Sequence, residues 1–184
     1  MTRGIILFGA AGSGKTTIAI ELAQRLNFWH LDLDDYHWRW DTEIPYTTLR
    51  PAEERIKHIM DDISQHANFV MSGNMWSIRK KFEPLFDLAV LITAPVKVRA
   101  ERIRSRELAK WSDRILPGGD MYEANPIYSQ DYIERVSDDF GQDKQHEAWA
   151  KELPCPVLTI EGTAPIEESV VQIYEYFRTY RSGC

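Results

Sequence analysis

The sequence predicts an α/β fold, a five-stranded parallel sheet with helices on both faces. Three observations predict it. Short apolar runs suited to buried strands alternate with stretches of helical periodicity along the chain. A glycine-rich turn joins the first such run to the first helix. The fourth run, Leu88-Ala89-Val90-Leu91-Ile92-Thr93, is apolar without alternation, as a strand covered on both faces requires.

Ile5-Ile6-Leu7-Phe8 is the first strand, and Ile18, Ala19, Leu22, Ala23 and Leu26 recur at helical spacing, so a helix runs from Lys15 to about Leu26. Phe28-Trp29-His30-Leu31 is a short second strand that ends in Asp32-Leu33-Asp34-Asp35. Residues 36–50 lack a period and read as a long aromatic loop. Pro51, Glu53 and Glu54 start a helix whose stripe is Ile56, Ile59, Met60 and Ile63, and Asn68–Gly73 is the third strand with its exit turn. A shorter helix is expected over Met75–Phe82. After the fourth strand Pro95 opens a helix through Arg99, Arg102 and Arg106. From Trp111 to Asn125 the pattern dissolves, and this stretch is expected to be a mobile flap. Helical spacing returns over residues 129–152 with Tyr132, Ile133, Val136 and Phe140. Val157-Leu158-Thr159-Ile160 is the last strand, and a helix with Val170, Val171, Ile173, Tyr174 and Phe177 closes the chain.

Gly9-Ala10-Ala11-Gly12-Ser13-Gly14-Lys15-Thr16 has the spacing G-x-x-x-x-G-K-T between a strand and a helix, the context in which this pattern is a P-loop. Its ligand is a phosphate chain. The backbone of Gly9, Ala11, Gly12, Ser13, Gly14, Lys15, Thr16 and Thr17 is the expected cradle, with N–H groups turned inward at a helix N-terminus. The Lys15 amine is expected on the β- and γ-phosphates of ATP, and the Thr16 hydroxyl on the Mg²⁺ that bridges them.

At 184 residues the expectation is one domain over 1–184, with an acceptor-binding region at about 33–82 and a lid at about 110–126. The 22 basic and 28 acidic side chains leave a net charge of −6, and no basic run points to nucleic acid. No apolar stretch is long enough to span a bilayer, and the first strand begins close to Met1 without room for a leader, so a cytoplasmic location is expected. Cys155 and Cys184 read as bystander thiols, and the five histidines show no ligand spacing. The oligomeric state is not legible.

With these residues in view, the chain resembles the nucleoside monophosphate kinase group of P-loop proteins, close to small adenylate-kinase-like and shikimate-kinase-like enzymes, over nearly its whole length. Arg102-Ile103-Arg104-Ser105-Arg106 resembles the R-x-x-x-R with which adenylate kinases begin their lid, which implies that Arg102 and Arg106 face the nucleotide. Glu161-Gly162-Thr163-Ala164-Pro165 is similar to the family's adenine-lining loop, which implies base contacts at Gly162, Thr163 and Ala164. Asp32 and Asp34 look like the D-x-D of shikimate and gluconate kinases, which implies a metal-shell role for Asp32 and an acceptor role for Asp34. The resemblance also implies sheet order 2-3-1-4-5.

Phosphoryl transfer asks for positioning and positive charge, so Lys15, Arg102 and Arg106 with Asp34 are the expected catalytic set. Arg102 and Arg106 are one helical turn apart. Two residues apart on an extended segment, Asp32 and Asp34 would face one side, although Asp35 allows a register shifted by one. Ser72-Gly73-Asn74 stands where adenylate kinases carry an aspartate near the metal, which transfers metal duty to Asp32. Gly73 permits close approach of an acceptor and Asn74 a hydrogen bond to it. Arg79 is placed to grip an anionic group, while Tyr36, Trp38, Trp40 and Trp76 are candidates for an aromatic wall. The expected partner is a small-molecule acceptor, with neither nucleic acid nor membrane. A nucleotide-binding regulatory or interaction protein of the same fold is the alternative. The N-K-x-D pattern of a guanine-specific switch is missing from the sequence.

Overall fold

The computed structural model describes residues 3–124 and 142–182. Five strands form one parallel sheet: β1 (Arg3–Phe8), β2 (Trp29–Asp32), β3 (Asn68–Ser72), β4 (Phe86–Thr93) and β5 (Val157–Glu161). Their order is β2-β3-β1-β4-β5, as the resemblance implies. Seven helices are described among these residues: α1 (Lys15–Leu26), α2 (Leu33–His37), α3 (Ala52–Gln65), α4 (Val96–Trp111), α5 (Asp120–Ala124), α6 (Gln142–Glu152) and α7 (Ile166–Ser182).

The alternation of β1 explains the layering. Ile5 and Leu7 point to one face, where Ile18, Leu22, Val170, Ile173 and Phe177 of α1 and α7 cover them. Ile6 and Phe8 point to the other, against Ile59 and Ile63 of α3 and Trp149 of α6. All four are fully buried, and each such side chain contributes about 2 kcal/mol by leaving water. A sheet buried on both faces needs apolar residues at successive positions, which is why these strands read as continuous runs.

Register then sets what meets at the carboxyl ends of the strands. Asp32 pairs with Ser72, Leu7 with Ser72 and with Val90, and Thr93 with Glu161. The loops that follow β1, β2, β3 and β5 therefore open at one edge, where ligands of such sheets bind.

Four expectations change. The acids after β2 do not continue an extended segment: Asp32 caps the short helix α2 by accepting from the Asp34 N–H at 3.1 Å, and Asp34 lies in its first turn. The aromatic loop is folded back on itself, with Trp38 bridged to Leu49, Arg39 N–H donating to Thr48 at 2.9 Å and Arg50 N–H to His37 at 2.9 Å. Residues 76–81 form a 3₁₀ turn, and a second covers Glu83–Leu85. The flap is built: a 3₁₀ turn at Ser112–Ile115 and α5 enclose buried Ile115 and Met121. Isolated apolar residues at irregular spacing carry no periodic signal, yet they can still share one small core. The helical spacing expected at Tyr132, Ile133, Val136 and Phe140, together with lid residues 125 and 126 and Cys184, falls outside the described residues.

Candidate active site

The loop after β1 turns back onto α1. Gly12 and Gly14 have φ of +77° and +104°, the left-handed region that admits glycine at little cost, and Gly14 is the N-cap of α1. A side chain at Gly12 would also meet the Arg99 carbonyl oxygen at 2.6 Å, so the loop packs its backbone directly against α4. Lys15 folds over this loop and donates to the Ala10 carbonyl at 2.8 Å. Burial pushes its amine down to about 8, with the Asp34 and Asp32 carboxylates holding it up and the Arg106 and Arg99 guanidiniums adding to the depression. Thr16 is half-buried at the start of α1, and Ala11 and Thr17 are exposed.

Across the opening stand the acids. Asp34 is reached by solvent yet enclosed on most sides, and this burial, then the neighbouring Asp32 carboxylate, raises its pKa, while Lys15, His37 and Arg106 lower it. Lys15 and Asp34 lie within each other's field, so the P-loop and the first turn of α2 face one opening. Arg106 belongs to both sets. Its guanidinium is held by Glu107 at 2.7 Å while remaining largely exposed.

Arg102 reaches the back of the P-loop. Its Nη1 donates to the carbonyl oxygens of Gly162 at 2.9 Å, Ser13 at 3.4 Å and Gly12 at 3.5 Å. It ties the P-loop to the loop after β5. Gly162 itself lies so close that a Cβ there would be 2.0 Å from the Ser13 carbonyl oxygen. Thr163 hydroxyl donates to Glu161 at 2.7 Å, and the Ala164 N–H to the Glu161 carbonyl at 3.2 Å.

Beyond β3, Gly73 packs against the start of α2: a Cβ there would meet Leu33 Cβ at 2.8 Å. Asn74 Oδ1 is 2.8 Å from His146 Nε2, which ties this turn to α6. Tyr36 gives its hydroxyl to Asp62 at 2.5 Å and packs its ring on the core. Trp38 stacks edge-on against His37 and Tyr46 at 5.3 and 5.8 Å. Arg79 lies among carboxylates. It bonds Glu152 at 2.9 Å, approaches Glu83 at 3.7 Å and lies 5.7 Å over the Trp149 ring, which makes it a brace between the 3₁₀ turn and α6.

Arg55 was not marked by the spacing argument. It occupies the α3 stripe with Ile59 and Ile63, where a core residue is expected, and it is 9 % exposed. Nη1 lies 3.0 Å from His37 Nδ1 and Nη2 3.4 Å from Ser77 Oγ, while Nε is buried without a hydrogen-bond partner. Because arginine only donates, His37 Nδ1 accepts and its ring proton is on Nε2; burial and Arg55 both lower the His37 pKa. A cation on an apolar stripe was the available signal.

The residues present fit a magnesium ion: a threonine hydroxyl at the head of α1 and the Asp32 carboxylate are hard oxygen donors of the kind this cation takes together with phosphate and water.

A P-loop facing a carboxylate pair under a basic helix defines a nucleotide-binding α/β protein of the small-molecule kinase type. The match of residues 5–114 to the AAA domain family places the chain within that family, in its nucleoside monophosphate kinase-like and shikimate-kinase-like group. It is 32 % identical over 182 residues to the uncharacterized protein YqaC of Bacillus subtilis (strain 168), covering 96 % of this chain and 98 % of that one. It is 26 % identical to shikimate kinase of Buchnera aphidicola subsp. Acyrthosiphon pisum (strain APS), over 70 % of this chain and 82 % of that one. The solved shikimate kinase from Acinetobacter baumannii in complex with shikimate shares the fold, with a TM-score of 0.60, 16 % identity and coverage of 98 % and 95 %.

Proposed function

We propose that the chain is a phosphotransferase that moves the γ-phosphoryl group of ATP to a hydroxyl or phosphate oxygen of a small metabolite. The observation that carries it is the mutual field of Lys15 and Asp34, which joins a phosphate cradle to a carboxylate of raised pKa in one cleft. The P-loop backbone and Lys15 hold the phosphates, and Gly162, Thr163 and Ala164 line the base. For a hydroxyl acceptor, Asp34 accepts the hydroxyl proton as the acceptor oxygen bonds to Pγ and the bond from Pγ to the bridging oxygen breaks, leaving ADP. Arg106, exposed to the same cleft, neutralises charge on the migrating group. Thr16 and Asp32 would hold Mg²⁺, whose bound form supplies charge neutralisation of the phosphates. Gly73, Asn74 and the rings of Tyr36 and Trp38 border the acceptor. Arg55, a buried cation whose described partners are neutral, suits an acceptor with an anionic group.

In this reading the chain is one kinase domain acting in the cytoplasm, with its acceptor region at about 33–82 and its lid at about 110–126. Among the described residues no helix is long and apolar enough to cross a membrane.

The test is ADP release from ATP and Mg²⁺ over a panel of anionic hydroxy acids, sugar acids and nucleoside monophosphates, for the wild type and Asp34→Asn. One acceptor should raise ADP release well above background hydrolysis, and Asp34→Asn should cut that rate by about 10²-fold or more while ATP affinity changes little. Background-level release with every acceptor, despite tight ATP binding, would favour the regulatory alternative.

A further inference from the structure

Lys110 lies in the last turn of α4, one turn beyond Arg106. Its amine donates to the Tyr46 hydroxyl at 2.9 Å and is 4.8, 5.2 and 5.4 Å from the ring centroids of Trp111, Trp40 and Tyr46. Three aromatic faces surround one ammonium, and among the described residues it forms no ion pair. The rings also hold each other: Tyr46 meets Trp40 at 5.1 Å, Trp38 at 5.8 Å and Trp111 at 6.1 Å, each edge to face. Tyr46 adopts φ of +62°, a left-handed backbone that side-chain-bearing residues resist unless their surroundings impose it.

This cage lies over the third core of the protein. Ile115 and Met121 are buried there, with Ile44 and Tyr46 from the aromatic loop and Trp111 and Tyr122 from the lid base packed against them. The loop and the lid base are more than 60 positions apart in sequence, as the separation of 64 between Lys110 and Tyr46 records. They nevertheless share one hydrophobic unit distinct from the two that cover the sheet.

We propose that Lys110 is a positioning residue that latches the acceptor-side loop, residues 38–50, to the lid base, residues 111–124, so that the two segments move as one body over the cleft. The ammonium is the charged element that spans both segments, beside the Tyr46–Trp111 ring contact and the shared core: it reaches Trp40 and Tyr46 of one and lies against Trp111 of the other. Because Arg106 is on the same helix one turn earlier, the latch sets the Arg106 guanidinium relative to the loop that borders the acceptor. This last consequence for turnover rests on the phosphotransfer reading; the latch does not.

Hydrogen exchange of the full chain tests it, with Lys110→Met, which keeps the length of the side chain and removes the charge, and Lys110→Arg, which keeps the cation. In Lys110→Met, amide exchange should accelerate in residues 38–50 and 111–124 together, by roughly tenfold in each, with β1, β3 and β4 unchanged; Lys110→Arg should bring both segments back to within about twofold of wild type. Tyr46→Phe, which keeps the rings and loses the hydroxyl, should accelerate both segments by a smaller factor. A non-hydrolysable ATP analogue with Mg²⁺ gives the second readout. It should slow exchange at residues 9–17 in every variant, and at residues 38–50 in the wild type and Lys110→Arg but not in Lys110→Met. Acceleration of one segment alone, of neither, or without rescue by arginine would overturn the latch. Lack of protection at residues 9–17 would instead overturn the nucleotide reading, and the nucleotide-free comparison still decides the latch.

Discussion

Arg102 Nη1 donates to the Gly162 carbonyl at 2.9 Å and reaches the Ser13 carbonyl at 3.4 Å, so one guanidinium joins the P-loop to the loop after β5. Arg102→Ala should weaken ATP binding by about tenfold, since it removes a charge-assisted bond and leaves carbonyl groups less well satisfied. Arg102→Lys should recover only part of the affinity, because a single ammonium cannot present the planar fork. Calorimetric titration of the three proteins checks both.

Gly162→Ala should be worse than its size suggests. The new Cβ would lie 2.0 Å from the Ser13 carbonyl oxygen and 2.9 Å from Ile92 Cγ2, and a backbone carbonyl cannot swing away. A loss of about 2 kcal/mol or more in urea unfolding is expected, together with weaker nucleotide binding. Gly118→Ala is the control: it has open space within 4 Å and pays only for its φ of +89°, about 1 kcal/mol.

The pH dependence of nucleotide affinity should follow Lys15. In the free protein its amine loses its proton near pH 8, so ATP affinity should fall as pH rises through about 8, and Lys15→Met should flatten that profile while lowering affinity at pH 7. Stability carries the opposite sign. A lysine whose folded pKa lies below its unfolded value of 10.5 penalises folding fully below about pH 8 and not at all above 10.5. Lys15→Met should therefore stabilise the nucleotide-free protein at pH 7, by about 1 kcal/mol once the lost bond to Ala10 is allowed for. A pH-independent affinity in the wild type would remove Lys15 from the phosphate site.

Arg55→Met should trade function for stability. A buried cation with an unpartnered Nε is costly, and a methionine of similar length fills the stripe beside Ile59 without that cost. Thermal unfolding should be unchanged or shifted upward, while KM for an anionic acceptor should rise by about tenfold or more. Equal KM values would leave Arg55 a purely structural residue.

Arg79→Gln should do the reverse. Removing its bonds to Glu152 and Glu83 leaves the buried Glu83 carboxylate with Lys80 and the Trp149 indole as partners, and unfolding should cost about 1–2 kcal/mol. The acceptor KM should not move. Steady-state kinetics beside a denaturant melt separates the two effects.

The sequence by itself determined the alternation of strands and helices and the P-loop turn between β1 and α1, because each is encoded in contiguous residues, an apolar run and a glycine spacing; the cap that Asp32 places on α2 was not read from it. The sheet order followed from resemblance and agrees with the structure. Partner choice was decided only in three dimensions. Arg79 meets Glu83 and Glu152, while Arg55 is buried against His37 and Ser77. Aperiodic residues 38–50 and 111–124 likewise gave no sign that they share a core, since contacts between Tyr46, Lys110 and Trp111 leave no mark in either segment alone. Local pattern reports the conformation of a segment; the charge that a side chain meets, and so the work it can do, depends on residues brought near by the fold.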